Sequence, residues 1–189
     1  MHLLLAQKGA LADADEAIDL NQSPADLVFI SAADTELASL SAASAASDTW
    51  GGEPSLRLAN MMALSHPMSI DVYAQKTIAA SRMVVVRVLG GESYWPYGLE
   101  VLHATCRKND IPIVVLPGDD KPDPSLERFN SLALDVWLTL WAYLREGGDV
   151  GAPVVVSAPE SPSAKAIEAI VSQLIVREKS LLGVRLGLA

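Results

Sequence analysis

The chain has 189 residues, half of them hydrophobic, and a net charge of −9. This length is typical of one domain with at most a small appendage, and it is sufficient to bury a sizeable apolar core. The acidic balance, with bases scattered along the chain, disfavours binding to nucleic acids or to anionic membranes. A single cysteine, Cys106, excludes an internal disulfide and a thiolate metal cluster, so a reducing cytoplasm is the expected compartment.

Five short apolar runs predict buried β-strands. Each run is nearly continuous rather than alternating and is rich in β-branched residues, as expected for strands that are covered on both faces. The runs are residues 2–6, 26–31, 82–90, 111–118 and, more weakly, 153–159. None approaches the roughly 18 apolar residues that a membrane span requires. The amino-terminal run also lacks the basic leader of a secretory signal, so it is interpreted as a strand.

Segments with helical spacing separate these runs, as the crossover between parallel strands requires. Asp34 is predicted to cap a helix over residues 35–46. Ser69 or Asp71 is predicted to open a second helix that ends before Arg82, and its inner face is expected to consist of Val72, Ile78 and Ala79. A third helix is predicted over residues 97–109 and a fourth over 124–146, ended by a glycine pair. The inner stripe of the third helix is expected to consist of Leu99, Leu102 and Cys106. On the fourth helix, Trp137 and Trp141 lie at helical spacing, which suits a core or a docking face.

The alternation of strands and helices predicts an α/β fold, a flavodoxin-like doubly wound parallel sheet of about five strands. This domain is expected to cover residues 1–148, followed by a strand and helix tail over 149–189. The tail either completes the sheet or presents its apolar stripe to a partner. Residues 55–69 leave two interpretations open, because Leu56 and Leu58 alternate as in a short strand while the methionines that follow suit a turn of helix.

The common catalytic and phosphate-binding motifs are missing from the sequence. It contains no G-x-x-x-x-G-K-[ST], G-x-G-x-x-G, G-x-S-x-G, H-E-x-x-H or paired C-x-x-C pattern. The three histidines, His2, His66 and His103, lack ligand spacing, so structural roles are favoured over metal binding or acid–base chemistry. No residue is therefore assigned a catalytic or metal-binding role.

Polar turns follow the predicted strands and would meet at the carboxyl edge of a parallel sheet, where open α/β folds bind ligands. The residues expected to be neighbours there are Gln7, Lys8, Asp34, Glu92, Asp119 and Asp120. They are interpreted either as ordinary turns and helix caps or as a recognition surface.

The glycine-bounded loop LGGESYWPYG, residues 89–98, holds three of the ten aromatic residues. Its rings either pack under the chain as a plug, which suits Trp95, or present a contact surface, which suits Tyr94 and Tyr97. The candidate ligand or partner contacts are Arg87, Tyr94, Trp95, Tyr97, Asp119 and Asp120.

Four segments together resemble the amino-terminal region of the large subunit of aerobic cobaltochelatase, a family related to the large subunit of magnesium chelatase. They are SPADLVFISAADTELASL, PSLRLANMMALSHPMSIDVYAQKT, VVVRVLGGESYWPYGLE and VLPGDDKPDP, in this order. The most specific pieces are HPMSIDVY and LGGESYWPYG. The resemblance runs to about residue 148 and does not include the tail.

The resemblance implies a tetrapyrrole-binding subunit of an ATP-dependent complex that inserts Co²⁺ into hydrogenobyrinic acid a,c-diamide. Two smaller subunits of the AAA+ type are the implied partners and hydrolyse the ATP, which agrees with the missing P-loop. Large subunits of this family are far longer than 189 residues, so this chain is expected to correspond to their beginning, to bind no cofactor itself and to be inactive alone. The alternative is a stand-alone, non-catalytic ligand-binding or interaction module.

Overall fold

The computed structural model describes residues 16–46 and 55–148, which belong to two compact units. The first unit contains residues 16–46 and 55–132 of the described chain, and the second contains residues 133–148. The strands predicted at 2–6 and 153–159, and the whole tail over 149–189, lie outside the described residues. The domain boundary at residue 148 stays a prediction.

The described part of the first unit contains a four-stranded sheet in which every neighbouring pair is parallel. Its strands are β1 (Leu27–Ser31), β2 (Leu56–Asn60), β3 (Met83–Val88) and β4 (Ile113–Pro117), in the order β2-β1-β3-β4. Val28 is in register with Val84, and Val84 with Ile113. This arrangement confirms an α/β fold with a parallel sheet.

Helices alternate with the strands. In the first unit α1 (Asp34–Ala46) follows β1, α2 (Pro67–Lys76) follows β2, and α3 (Pro96–Lys108) follows β3. Short 3₁₀ turns cover Met61–Leu64, Ile78–Ala80, Glu92–Tyr94 and Pro124–Phe129. In the second unit α4 (Leu134–Gly148) carries Trp137 and Trp141, both buried, with ring centroids 5.7 Å apart. Among the described residues no helix is long and apolar enough to cross a membrane.

A single apolar core joins one face of the sheet to α2 and α3. Alternate strand residues point to this face because side chains alternate along a strand. The predicted stripe of α3 is confirmed, since Leu99, Leu102 and Cys106 are all fully buried. The core includes Val28, Ile30, Val84, Val86, Ile113 and Val115 from the strands, and Ile70, Tyr73, Leu99, Leu102 and Cys106 from the helices.

Residues 55–69, for which a strand and a helical turn were both considered, contain a strand followed by a turn. Leu56 and Leu58 lie in β2, which pairs with β1, and the methionines then form a 3₁₀ turn. Asn60 separates the two elements because its side-chain carbonyl accepts a hydrogen bond from the Met62 N–H at 2.8 Å. A polar cap between two apolar runs therefore ends the strand and begins the turn.

The predicted start of the second helix is wrong, and of its predicted inner face only Ile78 is fully buried, in the 3₁₀ turn that follows the helix. The helix begins at Pro67 rather than at Ser69 or Asp71, and His66 is its N-cap, with Nδ1 accepting from the Met68 N–H at 3.1 Å. Proline suits the first helical turn because it needs no hydrogen-bond acceptor there. The helix buries Ile70, Tyr73 and Ala74 rather than Val72, which is half-buried.

The continuous helix predicted over residues 124–146 is also wrong. A 3₁₀ turn ends at Phe129, Asn130 is extended, and α4 begins at Leu134. The Asn130 side-chain carbonyl accepts from the Val115 N–H at 2.7 Å, and its amide donates to the Leu126 carbonyl at 3.0 Å. Because these bonds tie the chain to β4, it cannot continue as a helix through this point.

Candidate functional site at the carboxyl edge of the sheet

The loops that follow all four described strands meet at one edge of the sheet, because the strands are parallel. This edge is called the rim, and its strands end at Asn60, Ser31, Val88 and Pro117. It therefore places the predicted turns after β1, β3 and β4 together. Gln7 and Lys8, which were expected beside them, lie outside the described residues.

A nearly buried ion pair joins β3 to the first turn of α1. Arg87 pairs with Glu36, and their side chains are only 13% and 12% exposed. The Ser31 hydroxyl donates to the same carboxylate at 2.6 Å, and the Arg87 guanidinium donates to the Gly118 carbonyl at 3.2 Å. Arg87 was predicted as a contact residue, and the structure shows that it holds three strand ends together.

The turn after β3 depends on glycine. Gly90 and Gly91 have φ values of 88° and 73°, in the region that residues with side chains rarely adopt. A Cβ on Gly91 would lie 2.4 Å from the Asp123 carboxylate. The two glycines thus let the loop pass close to the segment after β4. Between this loop and the segment after β4 lies an open depression of about 340 Å³. It is lined by Gly90, Gly91, Glu92, Ser93, Pro96, Asp123 and Ser125.

Trp95 packs beneath the loop as a plug. It is 6% exposed and belongs to the core, and its indole N–H donates to the Leu64 carbonyl at 3.3 Å. Its own exposed surface is too small for a large contact. Its role in any recognition would be to hold the neighbouring tyrosines in place.

Tyr94 and Tyr97 are about half exposed, at 50% and 48%. The Tyr94 hydroxyl contacts the Met62 sulfur at 3.4 Å, and the Tyr97 hydroxyl donates to the Asp71 carboxylate at 2.9 Å. This hydrogen bond to Asp71 is the main reason that the pKa of Tyr97 is raised. Their predicted contact role is compatible with this exposure and stays a prediction.

The acidic residues of the rim lie on neighbouring turns, and their described contacts are hydrogen bonds and ion pairs within the protein. Asp34 accepts from the Asn60 amide at 2.6 Å, and Glu92 pairs with Arg128 at 2.6 Å. Asp119 accepts from the Lys121 N–H at 3.2 Å, and Asp120 is exposed. Much of the rim therefore consists of turns and caps, as the simpler interpretation expects.

The described histidines and the cysteine have structural surroundings. His103 packs edge-on against Phe129 with centroids 5.7 Å apart, and burial lowers its pKa. Burial raises the pKa of the Cys106 thiol to about 12, which makes it unreactive near neutral pH. His66 caps α2. Within the described ranges no group of three His, Cys, Asp or Glu residues could hold a metal ion.

Sequence reasoning missed several residues that shape the rim: Ser31, Glu36, Asn60, Asp71, Asp123 and Arg128. Glu36 was accessible to prediction, since an acid in the first turn of a helix after a strand lies at the carboxyl edge. The partners of Asp71 and Arg128 had no local signal because they lie 26 to 36 residues away. The described rim offers ordered rings and acidic groups rather than a nucleophile paired with a base.

The fold and rim define a parallel α/β domain whose described surface carries a loop with two half-exposed tyrosines and no assembled catalytic group. The chain is homologous to part of the aerobic cobaltochelatase subunit CobN. It is 51% identical to the subunit of that name from a Sinorhizobium species over 173 residues, and 39% identical to the one from Pseudomonas aeruginosa over 149 residues. These matches cover 87% and 78% of this chain but only 13% and 12% of the relatives.

Three further findings complete the comparison. The catalytic subunit of cobaltochelatase from Mycobacterium tuberculosis is similar over 72% of this chain and 11% of its own, with a TM-score of 0.47 and 23% identity. An iron-sulfur cluster carrier protein from Synechocystis is 68% identical over 31 residues, which is 16% of this chain and 9% of that protein. No protein-family model matches.

The match to the Sinorhizobium relative extends into the tail. Residues 1–148 make up about 78% of the chain, whereas the match covers 87% of it. The expectation that the resemblance ends near residue 148 is therefore wrong. The tail combines small residues with an apolar stripe and carries no distinctive motif, so its sequence did not by itself indicate the relationship.

Proposed function

We propose that the chain is an amino-terminal domain of the tetrapyrrole-binding large subunit of an aerobic cobaltochelatase, and that it serves assembly or substrate capture. The observation that carries the proposal is the 51% identity to a cobaltochelatase subunit over 87% of the chain. The complete complex inserts its substrate Co²⁺ into hydrogenobyrinic acid a,c-diamide during cobalamin synthesis in the cytoplasm. Two smaller AAA+-type subunits hydrolyse the ATP.

The topology supports a flavodoxin-like, doubly wound form of this domain. The strand order β2-β1-β3-β4 corresponds to the first four positions of the flavodoxin order 2-1-3-4-5. Right-handed crossovers from β1 to β2 and from β2 to β3 run in opposite directions across the sheet, so they place α1 and α2 on opposite faces. The fifth strand of this proposal is the apolar run at residues 153–159.

The described chemistry supports a role outside catalysis. The crevice between the ends of β1 and β3, where the order of the strands reverses, is where doubly wound folds bind ligands. Here Arg87 and Glu36 pair in that crevice and the Ser31 hydroxyl joins them. These side chains satisfy one another, so this region stabilises the rim. The isolated chain is therefore expected to insert no cobalt.

One observation favours a second candidate function, a stand-alone ligand-binding or interaction module. The open depression beside Gly91 and Asp123 lies at the rim, where a small ligand could enter without disturbing the Arg87–Glu36 pair. The neighbouring reading frame separates the two candidates. A frame encoding the rest of a large subunit supports the chelatase domain, and unrelated neighbours support the module.

Titration of the purified chain tests the proposal directly. The chain is mixed separately with hydrogenobyrinic acid a,c-diamide and with each of the two smaller chelatase subunits, and binding is measured by calorimetry. Binding to at least one of the three supports the proposal, whereas binding to none of them contradicts it. Cobalt insertion by the chain alone would contradict the non-catalytic role.

A further inference from the structure

The rim concentrates exposed apolar side chains. Five of them, called the rim patch, are Met62, Met68, Leu89, Tyr94 and Tyr97, and each is 48% to 58% exposed. In the described part of the first unit, Ile18 is the one other large apolar residue of comparable exposure. Contiguous apolar surface of this kind marks interaction sites, because isolated apolar residues are normally scattered.

The members of the rim patch come from four segments that meet at the carboxyl edge. Met62 follows β2, Leu89 and Tyr94 follow β3, and Tyr97 lies in the first turn of α3. The contact between Tyr94 and Met62 joins the first two segments. The hydrogen bond from Tyr97 to Asp71 joins α3 to α2, where Met68 lies one turn before Asp71 on the same side of the helix.

The rim patch is ordered before any partner binds. Trp95 supports the loop from below, and Glu92 pairs with Arg128, so both sides of the loop are anchored. Tyrosine rings have few rotatable bonds, and held rings lose little conformational entropy on binding. Such aromatic side chains are frequent among the residues that dominate binding energy at protein interfaces.

The surroundings of the rim patch favour a protein partner over a small molecule. The neighbouring depression is open, whereas drug-sized ligands are usually buried in a concave pocket. The Tyr97 hydroxyl of the patch donates to Asp71, and Asp119 and Asp120 are exposed on the turn after β4 at the same edge. Glu92 is already paired with Arg128. A complementary partner therefore presents an apolar centre with basic residues around it.

We propose that the rim patch is the surface by which this domain docks onto the remaining part of a cobaltochelatase large subunit. This inference rests on the proposed function. Its occupant is chosen because the match covers only 13% of the Sinorhizobium relative, so most of that polypeptide lies outside the matched domain. A domain with half-exposed tyrosines and methionines at one edge then has a large polypeptide available to cover them.

Methionine oxidation tests the docking surface. A chimera is made in which this chain replaces the matching segment of the Sinorhizobium subunit, and hydrogen peroxide oxidation of each methionine is followed by mass spectrometry in the chimera and in the chain alone. Met62 and Met68 are expected to oxidise at least about tenfold more slowly in the chimera because a docked surface excludes the oxidant. Met61, which is 1% exposed, is the internal control and should react slowly in both.

Binding measurements provide the second test. The remaining part of the Sinorhizobium subunit is titrated with this chain and with a variant carrying Tyr94→Ser and Tyr97→Ser. Loss of two central aromatic contacts is expected to raise Kd by about 30-fold or more. Lys108→Ser is the control because Lys108 is exposed at the carboxyl end of α3, away from the rim, and the Kd of this variant should stay within about twofold of the original value.

The outcomes separate the two proposals. If the original chain and the tyrosine variant bind the remaining polypeptide equally well, or if Met62 and Met68 oxidise equally fast in the chimera, the rim patch is not the docking surface and the proposed function stands. If the original chain binds neither this polypeptide, nor the two smaller subunits, nor the tetrapyrrole, both proposals fail.

Discussion

The indole of Trp95 occupies the space that any side chain at Gly98 would need. A Cβ on Gly98 would lie 2.0 Å from the Trp95 ring, and Gly98 is buried in the first turns of α3. The absence of a side chain at Gly98 therefore leaves room for the buried indole of Trp95. This relationship makes the two residues a coupled pair.

We expect the effect of Gly98→Ala to change sign when Trp95 is removed. With the indole present, the added methyl group forces it to move and lowers the free energy of unfolding by about 1–3 kcal/mol. In a Trp95→Ala background, which itself costs about 3–5 kcal/mol, alanine should stabilise the helix by up to about 1 kcal/mol relative to glycine. Urea unfolding of the four proteins measures the coupling. An equal penalty in both backgrounds would show that the ring does not cause it.

Breaking the Arg87–Glu36 pair is expected to destabilise the fold. Arg87→Met leaves a nearly buried carboxylate without its cation, which costs about 3 kcal/mol for a buried pair. Replacing both residues, Arg87→Met with Glu36→Leu, should be less destabilising than Arg87→Met alone because no charge is then left unpaired. Chemical denaturation compares the three variants, with exposed Lys76→Ala as a surface control. If the double variant is the least stable of the three, the unpaired charge is not the main cost of losing Arg87, and this prediction is wrong.

Cys106 should be protected from alkylation in the folded protein. Burial raises the pKa of its thiol to about 12, compared with about 8.5 for a free cysteine. At about pH 8 the thiolate fraction is therefore more than about 100-fold smaller in the folded chain. Mass spectrometry of iodoacetamide labelling, with and without denaturing urea, measures the ratio of the rates. Comparable rates would place the thiol at the surface.

Acid should weaken the contact between the loop before β1 and the start of β2. Hydrogen bonds from Ser55, assisted by Arg82, lower the pKa of Asp26. Since the folded-state pKa lies below that of the unfolded chain, the carboxylate stabilises the fold above about pH 4, and this contribution disappears as the pH falls through the folded-state value.

The Asp26→Asn variant measures this contribution. The difference in the free energy of unfolding between the original protein and the variant should be largest near about pH 7 and shrink toward about pH 3. Glu16→Gln, a change at an exposed carboxyl, is the control for general charge effects. A difference that stays constant over this pH range would mean that protonation of Asp26 does not contribute.

The strands β1, β3 and β4 and the stripe of α3 were accessible from the sequence because burial leaves a local record, whereas the less buried β2 stayed open between a strand and a helical turn. A strand covered on both faces, such as Met83–Val88, must be apolar along its whole length, and a helix facing the sheet must repeat apolar residues at helical spacing. These patterns involve neighbours in sequence, so they predicted the elements and the convergence of their loops. The resemblance to cobaltochelatase large subunits was also carried by local motifs.

The features that the sequence did not predict depend on contacts between residues far apart in the chain. Helical spacing predicted one helix through Asn130, but hydrogen bonds to β4 interrupt it, and His66 caps α2 although histidine is seldom chosen for that position. Arg87 was predicted as a ligand or partner contact, but its ion pair with Glu36, 51 residues earlier, could not be read from the sequence. The sequence by itself determined which segments supply the core, because hydrophobicity is a property of each side chain. Only the tertiary structure decided which polar groups pair, because pairing depends on where the chain returns in space.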